Sequence, residues 1–311
     1  MKALYIICNN PDTDLVGYNV FEYLKENYEM EYLEYNSELC DIYLIKDDLH
    51  EYYLMLTDDH VMHYTDKYLD FLNEHFLDVE VAVHVNYHEG AAAPDKVLSV
   101  HHVGDILTET YLPYDPKYAT NLLVNMEKLR KENGLDDFTC ESETTHFSGV
   151  VTDINPRILL DYPINNIDLE IGSLPESFNN ELAIKIISEA MFEIFNDTPE
   201  KRINVLYLGG AHFEATYTNA ILNEEYPIYL SHQLCGLWLM QTDYEKDGYT
   251  MLKDLIEKST IKYDALVFHE KAKKIKPILQ QLGDDLGIKV FKYNALKNIA
   301  NSEMKELFEE K

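Results

Sequence analysis

The chain has 311 residues, 46% hydrophobic and 26% charged, a balance that excludes a largely disordered polypeptide. Acidic residues outnumber basic ones 56 to 26, and the formal net charge of −30 opposes DNA or any polyanion that would need a broad basic footprint. No apolar run approaches the ~20 residues of a membrane helix, and the first residues run straight into a strand-like segment rather than a signal peptide, so the expected compartment is the cytoplasm.

Short apolar runs alternate with longer amphipathic segments, the pattern of an α/β protein whose strands are covered by helices. ALYIIC (3–8) opens as a strand. NNPDTD (9–14) turns, with Asp14 as cap of a helix running through Tyr18, Phe21 and Leu24. Further strands are predicted at 42–45, 52–56, 79–85, 97–102, 138–143, 167–171, 204–208, 227–231, 264–268 and 288–293. Between them, three- and four-residue apolar spacing predicts helices over Thr65–Phe76, Pro116–Asn133, Ser177–Phe195, Thr216–Glu224, Thr250–Ser259 and Ala272–Leu286. Segments with chemical potential come from both halves, which favours one composite unit over residues 1–311, with Asn196–Lys201 as the most plausible seam. The cysteines Cys8, Cys40, Cys140 and Cys235 are too far apart for a disulfide framework or a cysteine zinc cluster and read as buried thiols.

Histidines recur where strand-like runs end: HVNYH (84–88), VHH (100–102), THFSG (145–149), GGAHFEA (209–215) and LSH (230–232). Converging at one end of a sheet, they would suit zinc or acid–base chemistry; taken singly, each reads as a structural residue. Adjacent His101 and His102 must face opposite sides of an extended strand, so only one joins a shared site. In NVLYLGGAHFEATYTNAIL (204–222), Gly209 and Gly210 permit a tight turn before a helix start, which favours an anion there, while the competing reading is a plain turn with a capping residue. In IDLEIGS (167–173), Asp168 and Glu170 lie opposite Ile167, Leu169 and Ile171; Glu170 is a candidate general base, and the turn at Ser173 a candidate substrate contact. Basic residues cluster at Lys271, Lys273, Lys274 and Lys276, at Lys128, Arg130 and Lys131, and at Lys201 and Arg202, each of which also reads as a solvated surface.

In this order the motifs resemble the zinc-dependent D-aminoacyl-tRNA deacylase family of archaea and plants. The matching pieces are ALYIICNNPDTD (3–14), HVNYHEG (84–90), VHHVGD (100–105), ETTHFSG (143–149), LEIGS (169–173), GGAHF (209–213) and SH (231–232), which together cover most of the chain. Several positions depart from the family pattern. Phe147, Ser148 and Gly149 stand where a second histidine, glycine and proline are usual; Glu214-Ala215-Thr216 replaces Ala-Pro-Arg; Asp105 replaces asparagine; and either His84 or His88 matches the early histidine.

The resemblance implies a phosphorylase/hydrolase-like three-layer α/β/α fold with a mixed central sheet. It also implies hydrolysis of the ester bond of D-aminoacyl-tRNA, with Zn2+ held among His101, His146, His212 and His232 and the proton accepted by Glu143 or Glu170. Amides of Gly209 and Gly210 would face the developing oxyanion or the terminal nucleotide. Two other functions fit the departures: a metal-dependent hydrolase of a smaller ester or amide, and a noncatalytic relative, for which Phe147 is the argument.

Overall fold

The computed structural model describes residues 1–35, 37–90, 93–147, 160–196 and 201–309. Its strands are β1 (Lys2–Cys8), β2 (Glu31–Leu33), β3 (Asp41–Lys46), β4 (Glu51–Thr57), β5 (Val81–His88), β6 (Lys96–His102), β7 (Gly104–Asp105), β8 (Thr110–Tyr111), β9 (Thr139–Ser142), β10 (Asn165–Ser173), β11 (Val205–Leu208), β12 (Gln233–Leu234), β13 (Ala265–Phe268) and β14 (Lys289–Lys292). Eight of them form a sheet in the order β2-β3-β4-β1-β5-β10-β6-β9, and four form a second sheet in the order β12-β11-β13-β14. The large sheet is mixed, parallel from β4 through β1 and β5 to β10 and antiparallel where β10 meets β6. The small one is parallel throughout.

Period-two alternation assigns the two faces of the large sheet. Ala3, Tyr5 and Ile7 of β1, Val81, Val83 and Val85 of β5, and Ile167, Leu169 and Ile171 of β10 face one core. That core is covered by the helices Leu15–Asn27, Pro116–Glu132 and Glu181–Ala190, through Val16, Val20, Leu122, Met126, Ile186 and Ile187. On the other face Leu4, Ile6, Met55 and Ala82 pack against Tyr68, Phe71 and Leu72 of the helix Thr65–His75. Helices on both sides of a mixed sheet make the three-layer α/β/α architecture expected from the sequence.

Three predicted elements come out differently. Residues 227–231 make only a bridge at Ile228, because side chains take the backbone groups that a strand partner would have paired. Arg202 donates to the Ile228 carbonyl, and the amides of Leu230 and Ser231 donate to Thr120 Oγ1 and the Tyr217 hydroxyl. The helix predicted over Ser177–Phe195 is broken: Asn180 caps a fresh start by accepting from the Ala183 amide, and a 3-10 turn follows at Met191–Glu193. The helix predicted over Ala272–Leu286 is α-helical only over Lys276–Leu286, after a 3-10 segment at Glu270–Ile275. Cys8, Cys140 and Cys235 are buried and free, while Cys40 is partly exposed. The proposed seam at Asn196–Lys201 lies mostly outside the described residues, as do Ser148 and Gly149. No helix among the described residues is long and apolar enough to cross a membrane.

Candidate active site

The polar face of three adjoining strands forms the floor of the site. Strand register puts Asp168 of β10 between His84 of β5 and His101 of β6, and one step further puts Glu170 between Asn86 and Ser99. His88 closes β5 opposite Gly172. All these acids and histidines are buried.

The second wall comes from the segment after β9, which stitches the two sheets together. Thr144 and Thr145 donate their amides to the carbonyls of His212 and Gln233, and Glu143 bridges to Phe213. Glu143 is thereby aimed back at the floor. Its Oε1 lies 2.5 Å from His212 Nε2, 3.2 Å from His88 Nε2 and 3.6 Å from His146 Nε2. The opposite nitrogens are engaged elsewhere: His146 Nδ1 lies 2.9 Å from the Thr144 carbonyl, and His88 Nδ1 3.2 Å from Ser173 Oγ. His101 stacks on His146 with ring centroids 4.0 Å apart, and its Nε2 lies 3.2 Å from Asp168 Oδ2.

Electrostatics divide the two glutamates. Burial works to raise Glu143, but hydrogen bonds from His212 and His88, with His146 and His101 beside them, outweigh it and hold the carboxyl well below its usual range. Burial, then the adjacent Glu143 and Asp168, push Glu170 well above that range, although Ser99 Oγ donates to it at 3.2 Å. The two carboxyls are thereby driven in opposite directions, Glu143 toward its ionised form and Glu170 toward its protonated one. Burial, with His101 second, pushes His146 down to about 3.

A cleft of about 960 Å3 opens above the cluster and is lined by His88, His146, His212 and Glu170. Phe147 forms part of its wall and packs with Met62 and Val103, so this position contributes apolar surface where the family has a second histidine. Further round the cleft stand His60, His63, His269 and Lys271, which sequence reasoning did not connect with the site. They belong to turns and to a 3-10 start, where no periodicity marks a face. His88 was legible only as one of two alternatives, and the structure places it on Glu143, whereas His84 Nε2 engages Asn166 Oδ1 at 2.9 Å.

Several expected roles change. His232 lies apart from the cluster, with Nδ1 2.8 Å from Thr145 Oγ1 and its ring against Tyr114 and His102, because strand alternation sends His102 and its neighbours to the opposite face from His101. The Gly209 amide does not face an oxyanion, since it donates to the Leu234 carbonyl at 2.8 Å. Gly209 has φ +91°, and a Cβ there would meet Ala272 Cβ at 2.4 Å, so the glycine serves the turn. Glu214 caps the helix Ala215–Ile221 by accepting from the Thr216 amide, which puts the protein's own carboxylate where an anion was expected. Ser173 holds His88 and is absent from the lining of the cleft. Asp105 accepts from the amides of Leu107 and Thr108, so its charge serves a turn.

The family model for D-aminoacyl-tRNA deacylase matches residues 75–291, a span that contains every residue of the cluster. The chain belongs to the D-aminoacyl-tRNA deacylase family. At low identity, the first of the following solved structures bears only on the fold of this deacylase-family chain. The crystal structure of a conserved protein of unknown function matches at a TM-score of 0.73 and 17% identity, covering 96% of this chain and 97% of its own. A Campylobacter jejuni 5′-methylthioadenosine/S-adenosyl homocysteine nucleosidase and a Toxoplasma gondii purine nucleoside phosphorylase match at TM-scores of 0.35 and 0.37, with 12% and 13% identity. Both cover 62% of this chain, and 94% and 87% of their own. No curated protein matches the sequence.

Proposed function

We propose that this chain hydrolyses the ester bond of D-aminoacyl-tRNA, releasing the D-amino acid and tRNA, with zinc held by His88 and His212 together with Glu143, whose ligand atoms lie within 4.8 Å of one another. One observation carries the reading: three imidazole Nε2 atoms that line the cleft gather within 3.6 Å of a single oxygen of buried Glu143. The donor set fits the metal. Two histidines and a carboxylate with an open side toward solvent are a catalytic zinc arrangement, and Ser173 orients the His88 ring from behind. Glu143 Oε2 is buried without a hydrogen-bond partner, as an anion does when it awaits a cation. His101, an expected ligand, stacks on His146 and forms a second candidate set with Glu143 and His146, with ligand atoms within 4.8 Å of one another.

When bound, zinc supplies Lewis-acid polarisation of the ester carbonyl and lowers the pKa of water. The water oxygen first joins the acyl carbon, and its proton passes to the neutral His146 imidazole that lines the cleft. Glu170, which lines the cleft and is held toward its protonated form, then gives its proton to the leaving ribose oxygen as the ester C–O bond breaks, and proton exchange restores both groups. Asn86, with its amide turned to donate to Glu170 Oε1 at 3.0 Å, and Ser99 keep that carboxyl in place.

The direct measurement is release of D-tyrosine from D-tyrosyl-tRNA. Glu170→Gln is expected to lower kcat on the order of a hundredfold or more. Release by the wild-type chain no faster than by His212→Ala would overturn the assignment. The runner-up, hydrolysis of a smaller ester or amide by the same cluster, is favoured by the Glu214 carboxylate beside the cleft and by the net charge of −30.

A further inference from the structure

The mouth of the cleft joins two features that hydrolysis does not use. The first is charge. Lys271, Lys273, Lys274 and Lys276 are all exposed and Glu270 is the one acid from 270 to 276; of the four lysines Lys271 lines the cleft, whose acids Asp59, Glu89, Glu170 and Glu214 belong to other segments. The second is apolar surface. Leu237 and Met240 line the same cleft and are 61% and 71% exposed.

The two features sit on one rigid rim. His269 donates its amide to the Leu208 carbonyl at 2.8 Å, and Gly236 donates to the Gly210 carbonyl at 2.9 Å. A Cβ on Gly236 would stand 2.7 Å from the Gly209 carbonyl oxygen, and one on Gly209 would strike Ala272, so the three segments touch backbone to backbone at the ends of β11 and β13. Ammonium groups beside exposed apolar side chains match a single-stranded nucleic-acid end, whose phosphates take the cations and whose bases cover the apolar surface.

Resting on the deacylase reading, we propose that the rim formed by residues 236–240 and 271–276 seats the single-stranded 3′ end of the acyl-tRNA. This resolves how a strongly acidic chain engages a polyanion: contact is confined to a few nucleotides at a local basic rim, and the rest of the nucleic acid is held off the acidic surface.

The test compares the wild-type chain with the variant Lys271→Ala/Lys273→Ala/Lys276→Ala, using D-tyrosyl-tRNA, the single-nucleoside ester 3′-D-tyrosyl-adenosine, and a short RNA ending in CCA whose binding is read by fluorescence anisotropy. Expected for D-tyrosyl-tRNA is a rise in KM of about tenfold, with a plot of log kcat/KM against log salt shallower by roughly 2, at roughly 0.7 per phosphate contact. The loss on the nucleoside ester should be several times smaller. Leu237→Ser/Met240→Ser should weaken RNA binding independently of charge. Lys117→Ala/Lys128→Ala/Lys131→Ala, on the helix Pro116–Glu132, removes equal charge away from the cleft and should leave binding within about twofold. Equal losses from the two lysine variants, or unchanged RNA binding in the rim variants, would overturn the rim. Wild-type chain that binds the RNA through the rim yet cleaves neither ester would instead overturn the deacylase reading.

Discussion

Substituting Asp14 by asparagine separates the cap of the first helix from the charge that supplies it. The Asp14 side chain is fully buried, and Oδ1 accepts the amides of Val16 and Gly17 at 2.9 Å each. Its other oxygen is buried without a hydrogen-bond partner. The nearest base, His60 Nε2, is 3.7 Å away, but burial, with His63 second, pushes that imidazole down to about 4, so it is neutral at pH 7 and offers no counter-charge. Burial therefore pushes Asp14 from 3.8 up to about 7, although the amides of Gly17, Val16 and Tyr87 pull it down. A folded-state value above the unfolded one means that the native chain holds the proton more tightly. The resulting stability is fully present below pH 4, is lost progressively as pH rises toward 7, and is absent above. At about 1.4 kcal/mol per unit, the three-unit interval amounts to roughly 4 kcal/mol at most. Asparagine retains an oxygen for the cap and does not titrate. Urea unfolding at a series of pH values should show Asp14→Asn gaining on wild type from pH 4 to pH 8 by as much as that figure. A difference between the two proteins that stays constant across the range would refute the reasoning, because it would mean that Asp14 does not change charge there.

Zinc should raise the thermal midpoint and a chelator should reverse it, with about 2.7 kcal/mol of stabilisation at a hundredfold excess over Kd; an equal shift in His88→Ala/His212→Ala would exclude these residues as ligands. Gly209→Ala should cost about 1–3 kcal/mol in denaturant unfolding, since φ +91° and the Ala272 side chain both oppose a Cβ. Restoring histidine at Phe147 should destabilise the fold by about 2 kcal/mol, because an imidazole would be buried against Met62 and Val103 without a designed partner; an unchanged unfolding midpoint would show that the wall of the cleft accommodates a polar ring.

Local pattern carried much of the architecture. Alternation in IDLEIGS placed Glu170 and Asp168 on the face opposite Ile167, Leu169 and Ile171, and β10 keeps that division with the apolar set in the core. Asp14 was legible as a cap because an aspartate just before an amphipathic run can accept the free amides of the first turn. Residues 227–231 misled because burial alone does not make a strand: their amides and carbonyls found Thr120, Tyr217 and Arg202.

The sequence by itself determined which histidines and acids stand at strand ends and which side of each strand they occupy, since both follow from a two-residue repeat. Only the tertiary structure decided their company. Pairing of β5, β10 and β6 set Asp168 between His84 and His101, the segment after β9 carried Glu143 across to His212, and His88 was chosen over His84 by proximity to that carboxylate. Register and the crossing between sheets depend on contacts far apart in the chain, so local spacing carries no record of them. The same long-range packing removed His232 from the cluster and spent Glu214 on a helix cap.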